Sequence, residues 1–151
     1  MSRAPSLLRR LAACAGLVAW SAAGPARAAG FEVVVHVEGP KGEKGTAVCA
    51  LYASKDGFPG DEAKALRRTT APIDGSPATC VFEDLPPGTY AVAAFEDENG
   101  NGKCDRNFLG IPKEPVGVSN DAKGTFGPPP FDKARFQLTA KLSMTIHLAR
   151  P

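Results

Sequence analysis

Alternation of apolar and polar positions predicts a chain built mainly from short β-strands. The clearest example is the segment Phe31–Glu38. Its odd-numbered positions are all apolar: Phe31, Val33, Val35 and Val37. A period of two is that of a half-buried strand. The same pattern, bounded by turn residues, predicts further strands at 46–53, 78–83, 89–96, 134–138 and 142–148.

The segments between these strands complete the predicted architecture. Leu85-Pro86-Pro87-Gly88 has the composition of a tight turn, because Pro fixes φ and Gly supplies a positive φ. Residues 61–68 predict one or two helical turns, with Asp61 near the start. Residues 97–130 form a long loop rich in Gly, Pro and Asn, and loops of that length are usually functional or disordered. The fold class is therefore all-β: a single antiparallel β-sandwich of about seven strands with one long loop.

The first 28 residues have the composition of a signal peptide rather than of the domain. Basic residues precede an uncharged run of apolar and small residues at 11–23, and Ala26-Arg27-Ala28 follows as a small-x-small cleavage site. A run of this length is too short for a membrane span, which needs about 20 apolar residues. We expect cleavage after Ala28, a mature domain of residues 29–151, and a periplasmic or secreted location.

Two other interpretations of the N-terminal segment remain open. Leu11-Ala12-Ala13-Cys14 resembles a lipoprotein box, although a lipidated Cys14 would stand at the end of the apolar run and not at its start. The pair Arg9-Arg10 resembles a twin-arginine export signal, without further support from the residues around it.

Removing the predicted signal peptide changes the charge of the protein. Residues 1–28 hold four Arg and no acid, so Lys+Arg falls from 18 to 14 against 16 Asp+Glu, and the formal charge changes from +2 to −2. The mature domain thus lacks the overall basic charge of a nucleic-acid binder or of a protein that binds anionic membranes. The expected partner is an unidentified ligand or envelope component.

Three cysteines remain after the predicted cleavage. Cys49 and Cys80 lie in predicted strands, whereas Cys104 lies in the polar loop. Since an oxidising compartment favours disulfides, we expect a Cys49–Cys80 bridge with Cys104 free. The alternative is that Cys49 and Cys80 are two buried thiols, because free cysteine is often buried.

The start of the long loop has the spacing of a calcium-binding loop. Oxygen-bearing side chains occupy its first, third, fifth and ninth positions, and a glycine occupies the sixth, where such loops turn sharply. The seventh position contributes only its main-chain carbonyl, so a basic residue is tolerated there. The predicted ligands of Ca²⁺ are Asp97, Asn99, Asn101, Lys103 and Asp105.

The loop also departs from the EF-hand pattern that it resembles. Its last position is Phe108 instead of a bidentate Glu, and no predicted helix flanks it. Calcium would need a further carboxylate from Glu114 or Asp121, or water. The alternatives are a turn that needs no ion, since Asn, Asp and Gly stabilise turns unaided, or another metal.

Several motifs together resemble a secreted bacterial family, the domain of unknown function 2141. They are Leu85-Pro86-Pro87-Gly88-Thr89-Tyr90-Ala91-Val92, Asp97-Glu98-Asn99-Gly100-Asn101-Gly102-Lys103, Gly110-Ile111-Pro112-Lys113-Glu114-Pro115, Gly117-Val118-Ser119-Asn120 and Phe126-Gly127-Pro128-Pro129-Pro130-Phe131. Cys104 departs from the apolar residue usual in the family. The resemblance covers nearly all of the predicted mature chain and implies an exported β-sandwich but no activity. The first motif is also similar to transthyretin-like and carboxypeptidase-regulatory-like sandwiches, an analogy of fold only.

The sequence favours a structural or ligand-binding envelope module over an enzyme. The alternative is a hydrolase of small molecules or glycans that uses the acidic residues Glu96, Asp97 and Glu98. His36 and His147 lie in predicted strands, and Ser119 lacks the second glycine of a nucleophile elbow. No residue is therefore assigned a catalytic role.

Four apolar side chains in and after the long loop have two interpretations. They line an apolar patch beside the ion, or they pin the loop to the core, and we favour the second. These side chains are Phe108, Ile111, Phe126 and Phe131.

Overall fold

The computed structural model describes residues 30–39, 45–75 and 77–151. The predicted signal peptide, its cleavage site and Cys14 lie outside these residues. In the described part, regular structure is almost all β. The strands are β1 (Phe31–Glu38), β2 (Gly45–Tyr52), β3 (Arg67–Ile73), β4 (Ala78–Leu85), β5 (Gly88–Asp97), β6 (Val116–Val118), β7 (Phe136–Leu138) and β8 (Leu142–His147).

The strands form two sheets that pack face to face. One sheet has the order β4-β1-β8, and the other has the order β3-β2-β5-β6, with β7 also paired to β5. Side chains from both sheets fill the core between them, including Val33 and Val35 of β1 and Leu51 of β2. The all-β sandwich expected from the alternating pattern is thus confirmed.

Strand β2 is buried on both of its faces. Cys49 and Leu51 point into the core between the sheets, whereas Tyr52 stacks edge-on against Phe58, with ring centroids 5.3 Å apart. Phe58 also contacts Phe131, with ring centroids 5.6 Å apart, and Phe131 begins a short helix, α1 (Phe131–Ala134). The loop that carries Phe58 and helix α1 therefore cover the outer face of this sheet.

A disulfide between Cys49 and Cys80 links the two sheets across the core, as the sequence predicts. Cys49 lies on β2 in one sheet and Cys80 lies on β4 in the other, and both are buried. Cys104 is free and partly exposed. The bridge therefore constrains the separation of the sheets.

The predicted tight turn at residues 85–88 is the corner where the chain passes from one sheet to the other. It joins the end of β4 to the start of β5. The Tyr90 hydroxyl donates a hydrogen bond back to the Pro86 carbonyl at 2.9 Å. This bond closes the corner from which β5 runs to the candidate loop, residues 97–105.

The structure differs from the predicted elements where the chain is polar or the elements are short. The helical turn is a 3₁₀ turn at Glu62–Lys64, capped by Asp61, and strand β3 starts within the range predicted as helical. The alternating pattern does not predict strand β3, because in its sequence, RRTTAPI, only Ala71 is fully buried and Ile73 is partly buried against the core. It is an edge strand, the place where a sheet tolerates Pro72.

Other differences concern short strands and long-range pairing. The long loop contains β6, and the predicted strand 134–138 is the end of α1 followed by β7. The pairing of β1 with β8 is parallel, unlike the antiparallel arrangement expected throughout. Gly117 of β6 permits the end of β8 to approach, because a Cβ there would lie 2.8 Å from the His147 carbonyl oxygen.

Candidate metal centre

The candidate loop begins where β5 ends, at Asp97. The Asp97 side chain is buried, and its carboxylate accepts three main-chain hydrogen bonds: from Gly100 at 2.9 Å, Asn101 at 3.2 Å and Gly102 at 2.7 Å. Gly102 has a φ of 74°, which glycine adopts readily and other residues adopt rarely. The sharp turn predicted at the sixth position is therefore present, wrapped around a buried carboxylate.

The other predicted ligand side chains meet at Asp105. The Nδ2 atoms of Asn99 and Asn101 donate to the two Asp105 carboxylate oxygens, at 2.6 and 3.0 Å. The Oδ1 atoms of the same two asparagines accept main-chain hydrogen bonds from Asn101, at 3.0 Å, and from Lys103, at 2.8 Å. The fold thus gathers the four side chains of the predicted set into one loop, in which hydrogen bonds satisfy their polar atoms.

Glu114 holds the two ends of this loop together. Its side chain is buried; Oε1 accepts the Glu98 N–H at 3.1 Å and Oε2 accepts the Asp105 N–H at 3.0 Å. The sequence predicts Glu114 as a possible extra calcium ligand. It does not predict that this carboxylate bridges main-chain groups seven residues apart in the loop. Asp121, the other candidate, is hydrogen-bonded to His147.

Two arginines that the spacing of the loop does not predict contact it from outside. Arg68, on β3, donates to the Gly102 carbonyl at 2.5 Å. Arg150 donates to the Lys113 carbonyl at 2.8 Å and forms an ion pair with Glu98. Both contacts join residues more than 30 positions apart in sequence, so local spacing carries no signal for them.

The loop places side-chain and main-chain oxygen atoms around one turn. Within the three described ranges, no group of three or more His, Cys, Asp or Glu side chains is arranged to hold a metal ion. The predicted calcium set contains only two carboxylates, Asp97 and Asp105, and takes its other oxygens from amides and a main-chain carbonyl. Calcium binding by this loop therefore stays a prediction.

The acidic and nucleophilic candidates lie in separate environments. The Glu96 carboxylate lies beside Gly39 and Gly45, Asp97 faces the loop, and Glu98 pairs with Arg150. Ser119 is fully buried, where its hydroxyl accepts the Val92 N–H at 2.9 Å and donates to the Ala134 carbonyl at 2.7 Å. These contacts give Ser119 a structural role in tying the segment after β6 to β5 and α1.

The sequence of the chain matches one known protein family. The sequence profile described as "uncharacterized protein conserved in bacteria (DUF2141)" matches residues 35–146, most of the sandwich and all of the candidate loop. The chain belongs to the DUF2141 family. No curated protein and no solved structure matches it.

Within this DUF2141 domain, the four apolar side chains of the loop region do not act alike. Phe131 is partly buried against Phe58 and pins α1 to the sheet, as expected. The expectation is wrong for the other three, because Phe108 is 95% exposed, Phe126 is 102% exposed and Ile111 is 43% exposed. Phe108 lies in a turn, Ile111 follows that turn, and Phe126 lies in a bend.

Outside the loop of the DUF2141 domain, His147 lies in a group of charged residues. Its Nδ1 is 2.7 Å from an Asp121 carboxylate oxygen, and its Nε2 is 3.4 Å from Glu38. The hydrogen bond to Asp121 and the Asp121 charge raise the pKa of His147 above 6.5. Partial burial raises the pKa of Asp121, but the hydrogen bonds from His147 outweigh it and lower that pKa below 3.8.

These shifts predict a pH-dependent contribution to stability. Because the folded-state pKa of His147 is raised, its contribution is complete below about pH 6.5 and is lost as the pH rises through the folded-state pKa. The contribution of Asp121 is complete above about pH 3.8 and is lost at lower pH. We therefore expect His147→Gln to lower the melting midpoint most between these values and little in mildly alkaline buffer.

An NMR titration of the His147 ring provides the direct check. The Asp121→Asn variant, which keeps the shape of the side chain but removes its charge, should return the His147 pKa toward 6.5. Identical His147 titration curves in the wild type and in this variant would contradict the assignment.

Proposed function

We propose that this DUF2141 chain is an exported, non-enzymatic β-sandwich whose loop 97–105 binds calcium, a structural or ligand-binding module of the cell envelope. The observation that supports the proposal is that Asn99 and Asn101 contact Asp105 in a loop whose main chain turns around the Asp97 carboxylate. The Cys49–Cys80 disulfide supports export, because such bonds persist in oxidising compartments. Among the described residues, the helices are too short or too polar to cross a bilayer.

The hydrogen-bonded loop is compatible with a cation. A carboxylate has about four lone-pair sites, and Asp97 uses three of them for main-chain N–H groups. Among the described residues, Oδ2 accepts only the Gly102 N–H, so the remaining site lies on this oxygen. Asp97 therefore supports the turn and supplies one oxygen to an ion at the same time.

Binding would require rearrangement of the two asparagine amides. Their Nδ2 groups now donate to Asp105, whereas a calcium ligand must present Oδ1. A half-turn of each terminal amide exchanges nitrogen for oxygen, but it breaks the hydrogen bonds that Oδ1 accepts from the main-chain N–H groups of Asn101 and Lys103. Because these bonds compete with the ion, we expect weak affinity, on the order of the 10⁻⁴ to 10⁻³ M of extracellular modules.

Thermal melting in EDTA and in millimolar calcium tests the proposal. At a calcium concentration tenfold above Kd, binding to the folded state alone adds about 1.4 kcal/mol. That gain corresponds to roughly 5 °C in the melting midpoint of a domain of this size. We expect calcium to raise the wild-type midpoint by about this amount and EDTA to reverse the change.

Two variants make the melting test specific to the loop. Asp97→Ala removes the first-position carboxylate and should abolish the calcium-dependent shift, whatever its effect on the midpoint in EDTA. Lys103→Ala removes an exposed side chain that supplies no ligand and should keep the full shift. An equal wild-type midpoint in EDTA and in calcium would show that this segment is a turn that binds no calcium.

The hydrolase alternative would need the acidic side chains to converge on one substrate. Glu96, Asp97 and Glu98 instead contact separate parts of the described structure. No observation therefore favours it over the binding module.

A further inference from the structure

A small hairpin at residues 105–113, here called the tip hairpin, extends from the end of the candidate loop. The main-chain N–H of Lys113 donates to the Asp105 carbonyl at 2.8 Å, and the main-chain N–H of Asn107 donates to the Ile111 carbonyl at 2.9 Å. Its turn carries Phe108, 95% exposed, and Leu109, 67% exposed. Two adjacent, large and highly exposed apolar side chains at the end of a hairpin are typical of an interaction site.

Several main-chain groups of this turn are hydrogen-bonded from within the hairpin. The Asn107 side-chain oxygen accepts the N–H groups of Leu109, at 2.9 Å, and Ile111, at 3.0 Å. The Asn107 carbonyl accepts the Gly110 N–H at 2.9 Å, and Arg106 donates to the Gly110 carbonyl at 3.0 Å. Because the hydrocarbon region of a bilayer offers no partners for main-chain groups, these internal bonds lower the cost of placing the turn at the headgroup level.

The charges around the turn favour an anionic surface. Residues 103–113 hold three exposed cations, Lys103, Arg106 and Lys113, and one acid, Asp105, whose carboxylate is bonded by two asparagine amides. In the described structure, none of these cations pairs with a carboxylate. The charge of −2 for the predicted mature chain argues against a basic protein as a whole, but this segment carries the opposite sign.

We propose that the tip hairpin is a peripheral docking point for an anionic lipid surface. Phe108 and Leu109 enter the headgroup region, and Lys103, Arg106 and Lys113 contact lipid phosphates. Apolar insertion combined with a few cations gives reversible attachment. The contact does not require calcium in the neighbouring loop, so it stands or falls separately from the proposed function.

Vesicle co-sedimentation of the exported protein in EDTA tests this proposal. We expect binding to vesicles of equal parts phosphatidylglycerol and phosphatidylcholine, weaker binding at high salt, and little binding to phosphatidylcholine alone. Phe108→Ser should weaken binding by about tenfold or more, since it removes a large apolar side chain from the bilayer. Lys113→Gln should weaken it by roughly fivefold, the effect of one cation near an anionic surface.

Phe126→Ser is the matched control, because Phe126 is equally exposed but lies in a different turn. It should bind vesicles like the wild type, and both Phe variants should keep the wild-type melting midpoint. Absence of binding to the anionic vesicles, or equal binding by Phe108→Ser and the wild type, overturns the proposal. Sedimentation velocity on the same samples covers the other occupant: a wild-type dimer that Phe108→Ser converts to monomer, without a change in vesicle binding, would assign the tip hairpin to a second copy of the chain.

Discussion

Removal of the Cys49–Cys80 disulfide should lower the free energy of unfolding by about 3 to 4 kcal/mol. The bond joins residues 31 positions apart, and closing a loop of this length restricts the unfolded chain. It also ties the two sheets together across the core, where both side chains are buried. A loss of this size corresponds to roughly 10 °C or more in the melting midpoint.

The test compares Cys49→Ala/Cys80→Ala with Cys104→Ala in denaturant and thermal unfolding. Cys104 takes no part in the bridge, and burial raises the pKa of its thiol, so the thiol stays protonated at neutral pH. Its replacement should cost much less than loss of the bridge. An unchanged wild-type midpoint after a reducing agent has freed both thiols would contradict this prediction.

Replacement of Glu114 by Ala should destabilise the domain by about 2 to 3 kcal/mol, because two main-chain N–H groups would lose a charged acceptor. Both groups lie at the ends of the candidate loop, so we expect faster amide exchange at Glu98 and Asp105 as well. Glu114→Gln should fall between the wild type and Glu114→Ala, since its amide keeps one acceptor and directs a donor at the other N–H.

Glu98→Gln provides the control for this prediction. Glu98 is partly exposed and forms a surface ion pair with Arg150, an interaction typically worth less than about 1 kcal/mol. Equal destabilisation by Glu114→Ala and Glu98→Gln in urea unfolding would show that Glu114 does not hold the loop closed.

The sequence predicts those strands in which apolar and polar side chains alternate. The buried residues Val33, Val35 and Val37 give β1 a clear period, and the corner at residues 85–88 is readable from its Pro and Gly residues. The sequence does not predict strand β3, because this strand is held by hydrogen bonds to β2 while only Ala71 of its side chains is fully buried. The parallel pairing of β1 with β8 likewise depends on contacts between distant parts of the chain.

The candidate site shows the same division between local and distant information. Spacing alone predicts that Asp97, Asn99, Asn101 and Asp105 share one loop with a turn at Gly102. It does not predict that Glu114 bridges the ends of the loop or that Arg68 braces it from β3. The interpretation that Phe108 pins the loop to the core is wrong, because composition does not show which side chains of a hairpin face solvent.

A crystal structure of the protein grown in millimolar calcium tests the central claim most directly. The account predicts an ion held by the side-chain oxygens of Asp97, Asn99, Asn101 and Asp105 and by the Lys103 carbonyl, with both asparagine amides turned to present oxygen. Ligand distances of about 2.3 to 2.6 Å would identify the ion as calcium. A loop without an ion, in which the two amide nitrogens still donate to Asp105, would contradict the claim.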